Sequence, residues 1–184
     1  MKNYNTSTRV TTSIKRVLAL TAATAAFALP TVATAQEKKN EDGYHYASGW
    51  SLNLTPVLLF AHGDYRFGGG ADPELKYTAD LGQLRLSAGA RIGAYYAKNL
   101  FGLTAMPTLR VAMPTGDLEP YVAFGMGYGW LPKSGHSDMA SMSRIGFQYH
   151  FSQSFALGLE GTFQKIDDSK FSFPSVGSMA SFDF

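Results

Sequence analysis

Tyr121–Trp130 reads YVAFGMGYGW. Val122, Phe124, Met126, Tyr128 and Trp130 alternate with Ala123, Gly125, Gly127 and Gly129. Side chains on a β-strand switch faces at every residue. This segment therefore has one face of large apolar groups and one that is almost bare backbone. The period is two, not 3.6, which makes it a strand rather than a helix.

The same two-faced pattern extends in both directions, broken by turn residues about every dozen positions. Trp50 to Ala61 sets Trp50, Leu52, Leu54, Pro56, Leu58 and Phe60 against Ser51, Asn53 and Thr55. Pro56 has no N–H for a ladder bond, which predicts a bulge or local fraying. Gly63 to Asp72 reads as a loop, with Gly68–Gly70 its flexible part. A second strand runs from about Glu74 to Leu81 and a third from about Gln83 to Ala97. Phe101 to Met113 makes a fourth, and Pro114 to Pro120 (PTGDLEP) reads as a turn. After the Tyr121–Trp130 strand, Pro132 to Asp138 is a loop and a sixth strand ends at Phe151. Phe155 begins the seventh, Ile166 to Lys170 is a loop, and the chain closes on MASFDF, Met179–Phe184. There Val176, Ala180, Phe182 and Phe184 oppose Gly177, Met179, Ser181 and Asp183.

These segments predict an all-β fold: an eight-stranded antiparallel up-and-down transmembrane β-barrel over residues 50–184. Each strand is close to the 9–11 residues a tilted strand needs to cross hydrocarbon. A soluble barrel of the lipocalin kind, apolar inside, fits the same alternation. Three features favour lipid outside. The polar face is Gly, Ser, Thr, Gln and Arg, poor in the Lys of a water-facing wall. An eight-stranded bore is narrow, so the small-residue face suits the inside. Aromatic residues also gather at strand ends, where rings with one wet edge suit the headgroup levels. Trp50, Phe60, Tyr96, Phe101, Trp130, Tyr149, Phe151, Phe182 and Phe184 form this expected girdle, with Tyr95 and Phe155 beside them.

Strand parity then encloses charge. Lys76, Arg85, Arg91, Arg110 and Arg144 face the bore, with Glu74, Asp80, Glu160 and Asp183 as counter-ions. Unpaired buried charges cost several kcal/mol each, so Arg–carboxylate forks plugging the bore are expected. The rival is a cation-lined pore.

The first 35 residues stand apart. Lys2, Arg9, Lys15 and Arg16 precede a short apolar run, Val17 to Pro30, and Ala33-Thr34-Ala35 fits a small-x-small cleavage site. Residues 1–35 therefore read as a signal peptide. Residues 36–49 read as a disordered periplasmic lead-in. Sixteen Lys and Arg less four in the leader leave twelve against fourteen Asp and Glu, so the exported chain carries −2 rather than +2. No basic cluster marks a nucleic-acid partner. The chain has no Cys, which removes disulfide scaffolds and thiolate chemistry. His62, His136 and Asp138 show no metal-ligand spacing, and neither metal nor cofactor is expected.

Taken together, the leader end, the YVAFGMGYGW strand, Phe147–Gly158 (FQYHFSQSFALG) and the closing MASFDF resemble the small outer-membrane β-barrel proteins of Gram-negative bacteria, the OmpX/OmpA-barrel/OmpW-like group. The resemblance implies outer-membrane lipids as surroundings and a monomer. It also implies recognition of the final aromatic by the barrel-assembly machinery during insertion. It leaves function open between a structural or surface-interaction role and a narrow channel for small or apolar solutes. His150-Phe151-Ser152 with Glu160 is similar to the acyl-transfer triad of the lipid A deacylases of the PagL type. Two points speak against it. Ser152 falls on the periplasmic side, and Glu160 points into the bore midway along the next strand. No catalysis is expected.

Overall fold

A computed structural model describes residues 48–60, 67–97, 100–132, 135–166 and 172–184. Eight strands follow in order: β1 Gly49–Leu59, β2 Gly68–Asp80, β3 Arg85–Ala97, β4 Leu100–Ala112, β5 Leu118–Leu131, β6 His136–Ser152, β7 Phe155–Ile166 and β8 Ser172–Asp183. Each pairs antiparallel with the next, and β8 pairs with β1 to close the barrel. The leader, the segment 36–47 and His62 lie outside the described residues.

The register fixes the barrel's shape. A circuit of paired residues from Gly49 runs through Thr78, Ser87, Arg110, Ala123, Arg144, Thr162 and Ser175 and returns to β1 at Leu59. It closes ten residues further along β1, a shear of ten for eight strands. With ordinary strand spacing this sets a tilt of about 40° and a backbone radius of about 8 Å. Side chains reaching inward from opposite walls fill a tube that narrow.

The start of β1, the end of β8 and the β2–β3, β4–β5 and β6–β7 turns share one end, called the terminal end below. Gly82 (φ 88°) and Gly116 (φ 62°) sit in two of these turns, where the left-handed backbone suits glycine. The other end carries the remaining connections.

The strands run longer than the residue pattern predicts. Gly68–Asp72 belongs to β2, Leu118–Pro120 to β5, His136–Asp138 to β6 and Ile166 to β7. Gly and Pro look like punctuation in sequence, yet here they serve the wall. A Cβ at Gly68 would lie 2.4 Å from the Tyr96 carbonyl, and one at Gly70 2.5 Å from the Ala94 carbonyl. These glycines allow close strand packing rather than loop freedom. Pro56, Pro73 and Pro107 each keep one ladder and interrupt the other, toward β8, β3 and β5 respectively. Register is the same on both sides of each gap, so Pro56 leaves a local break in one ladder and no bulge. The one register shift among the described pairings lies between His150 and Ser152.

Candidate functional site

The barrel is inverted relative to a soluble one. Leu58, Ile92, Leu109, Phe124, Met126 and Ile145 are all about 60% exposed on the outer wall. Arg91, Arg144, Glu74 and Glu160 are buried in the bore. Water around that wall would hydrate a continuous apolar belt, and acyl chains are the solvent that suits it.

At mid-height the bore holds one ion-pair cluster. Arg144 reaches Glu74 through Nη2 at 2.6 Å and Nη1 at 2.9 Å, a fork, and Glu160 at 3.3 Å. Arg91 donates to Glu160 at 2.8 Å and pairs with Asp72. Thr108 donates to Glu74 at 2.6 Å. Such forks satisfy both oxygens of a carboxylate, which is what burial in the bore requires.

Toward the terminal end a second cluster gathers on Glu119. Arg110 donates at 2.5 Å, Arg85 pairs with the other oxygen, Gln148 donates at 3.0 Å and His150 Nε2 stands 3.4 Å away. Tyr121 joins the two clusters, and Asn53 ties Lys76 to the mid-height one. Tyr121 lies under the Arg110 guanidinium, 3.7 Å from ring centre, and donates its hydroxyl to Glu160 at 2.8 Å. Asn53 accepts from Lys76 at 3.3 Å and donates to Glu74 at 3.4 Å. The mid-height cluster has two cations to three carboxylates. The Glu119 cluster has the opposite excess, Arg85 and Arg110 on one carboxylate.

Toward the loop end the filling changes to apolar. Met106, Leu131, Ala140, Met142 and Ile166 form one buried group. Val57, Leu59, Tyr95 and Phe173 form another. Tyr95 stacks edge-on with Phe173 at 5.0 Å and donates to Gln164 at 2.9 Å. The bore is capped here by packed side chains.

The residues expected in the bore take differing places. Lys76, Arg85, Arg91, Arg110, Arg144, Glu74 and Glu160 are all buried inside. Asp80 and Asp183 are only half-buried, at the terminal rim. Asp80 accepts the Gly82 N–H at 2.8 Å, closing the β2–β3 turn, and neither aspartate forms an ion pair among the described residues. Rim carboxylates are already solvated. The deeper positions are held by Asp72 and Glu119, which the sequence reading placed in turns. Alternation would have found both: each lies two residues before a residue pointing inward, Glu74 and Tyr121, with an outward proline between. Tyr95 is likewise corrected. It faces the bore, 2% exposed.

Trp50, Phe60, Tyr96, Phe101, Trp130, Tyr149, Phe151, Phe182 and Phe184 all point outward. At the terminal end Tyr149, Phe151, Phe155 and Phe182 make a chain of ring contacts at 5.0, 6.1 and 5.5 Å. Trp50 meets Tyr77 at 5.4 Å. Phe60, Tyr96, Phe101 and Trp130 mark the opposite end.

The triad-like set does not assemble. The carboxylate beside His150 is Glu119. Glu160 lies deeper and is held by Arg91, Arg144 and Tyr121. Ser152 Oγ accepts the Ser154 N–H at 3.3 Å in the β6–β7 turn. Asp138, at the loop-end mouth, accepts the Met139 N–H at 2.7 Å.

No protein-family model matches the chain, and no curated sequence matches it. Solved structures do. The Neisserial surface protein NspA aligns over 74% of this chain and 98% of its own, with 12% identity and a TM-score of 0.53. Ail, the attachment invasion locus protein of Yersinia pestis, aligns over 74% and 97%, with 13% identity and a TM-score of 0.54. The outer-membrane enzyme PagL aligns over 72% and 99%, with 13% identity and a TM-score of 0.50. At such identities the likeness is one of fold. A closed eight-stranded wall, apolar outside and charged within, defines the class: a small integral β-barrel of the bacterial outer membrane.

Proposed function

We propose that this chain is a sealed, non-enzymatic outer-membrane barrel that acts through its surface, in a structural or surface-interaction role. The filling of the bore carries this reading. Two linked ion-pair clusters occupy its middle and terminal parts, and an apolar cap of Met106, Met142, Ile166, Leu131, Leu59 and Phe173 closes the loop end. A conducting path would need a continuous water column. In a backbone tube of about 8 Å radius these side chains leave little room for one. The absence of catalysis belongs to the same proposal and rests on the engagement of Glu160 and Glu119 described above. On this reading residues 1–35 are the export signal, outer-membrane lipid is the solvent, the barrel-assembly machinery reads the closing aromatic, and the barrel works as a monomer.

Conductance across a planar bilayer tests it. A folded, inserted barrel that stays silent at either polarity agrees with the proposal. Discrete openings would replace it with the channel reading.

A further inference from the structure

Among the described residues, five cations are buried in the bore, Lys76 and four arginines, against four carboxylates, Asp72, Glu74, Glu119 and Glu160. Each arginine is ion-paired with one of these carboxylates. Lys76 is not. Its Nζ donates to the neutral Asn53 Oδ1 at 3.3 Å, and it forms no ion pair among the described residues. The charge that acts on it most strongly is a like charge, the Arg110 guanidinium, ahead of the carboxylates of Glu74, Asp183 and Glu119. A buried ammonium that faces another cation is costly unless an anion accompanies both.

The register shows what surrounds it. With a shear of ten over eight strands, residues in register on neighbouring strands differ in height by about one and a quarter residues. Counted so, Lys76 on β2 and Arg110 on β4 stand within about two residues of one level with Ser51 on β1, Ser181 on β8 and Gly158 on β7. Glu74 and Glu160 lie nearer the loop end, and Glu119 and Asp183 nearer the terminal end. Ser51 is the cross-strand partner of Lys76, and Ser181 is that of Asn53, the residue that holds the ammonium. The two serines are 1% and 0% exposed, and neither hydroxyl has a hydrogen-bond partner among the described residues. Arg110 Nε is buried without one as well. Buried polar groups are nearly always bonded, so orphaned donors gathered at one level point to a missing acceptor. Two cations, free donors and small side chains along one wall define that acceptor as a small anion.

We propose that this level of the bore binds one inorganic anion of chloride size, held by the Lys76 ammonium and the hydroxyls of Ser51 and Ser181. The anion balances the fifth buried cation and shields it from Arg110. The site lies inside the barrel, so it stands apart from what the outer wall meets.

The chain is folded in maltoside micelles, and its unfolding is followed in sodium chloride and in sodium gluconate at equal ionic strength. Chloride should stabilise the wild type in a saturable way. At ten times its dissociation constant, a bound ion raises the folded-to-unfolded ratio roughly tenfold. Lys76→Met should lose this response. Ser51→Ala with Ser181→Ala should fold and respond more weakly, which keeps the test decisive where Lys76→Met does not fold. Crystals grown in sodium bromide should show an anomalous peak beside Lys76 Nζ. Equal stability of the wild type in the two salts overturns the site. So does an undiminished chloride response in Lys76→Met or in the serine pair. Bromide found on exposed surfaces alone is an adventitious ion only, and overturns it too.

Discussion

The two parts of the bore solve one problem with different chemistry. Its middle and terminal parts hold Arg144, Arg91, Arg110 and Arg85 against Glu74, Glu160, Asp72 and Glu119. Its loop end holds Met106, Met142, Ile166, Leu131, Tyr95 and Phe173. Both are buried and packed, but their modes of failure differ. In the charged part, removing one partner strands the others, because they are buried away from bulk solvent. In the cap, removing a side chain only leaves a hole, at a cost set by its volume. On the proposed reading of a sealed barrel, tight sealing does not require an apolar core.

The largest test of this contrast is Arg144→Met. It removes three hydrogen bonds to Glu74 and Glu160 and leaves both carboxylates short of a cation. Chemical unfolding of the lipid-inserted barrel should show a loss of about 3–5 kcal/mol. Adding Glu74→Gln should recover at least about 1 kcal/mol, because the stranded charge is then gone. A double variant no better than the single one would mean that these charges are not what fills the bore.

Next comes the outer wall at mid-height. Phe124→Arg places a cation among acyl chains and should cost about 2–4 kcal/mol in the same assay. A negligible cost would contradict lipid contact.

In the cap, Ile166→Ala should cost about 2–3 kcal/mol and leave the planar bilayer silent. Ion conductance in that variant would show that the cap alone was the seal and that the charged part is permeable.

The smallest effect is expected at Ser152, outside both parts. Ser152→Ala should change stability by less than about 0.5 kcal/mol, with no lipid acyl hydrolysis by either protein. Hydrolysis by the wild type that Ser152→Ala abolished would revive the triad.

Much of the wall was readable without coordinates. Alternation alone put Arg91, Arg110, Arg144 and Glu160 on one face and Phe124, Met126 and Ile145 on the other, because a strand's period of two cannot drift. The strand ends were not readable. Gly68–Gly70, Asp72, Leu118–Pro120 and His136–Asp138 look like turns by composition, and a closed barrel overrides that local preference by offering each a cross-strand partner. Glu119 and Asp72 therefore look like turn residues in sequence, although they hold the deep positions expected of Asp80 and Asp183.

From sequence came the face each residue takes, and with it the inside-out character of the wall, since adjacent side chains on a strand must point oppositely. Partnership belongs to the fold. Nothing local says that Arg144 forks onto Glu74, seventy positions away, or that Tyr121 links two clusters. Those contacts exist only once eight strands close with a shear of ten, which sets the height of every inward side chain across a tube too narrow to leave one without a neighbour.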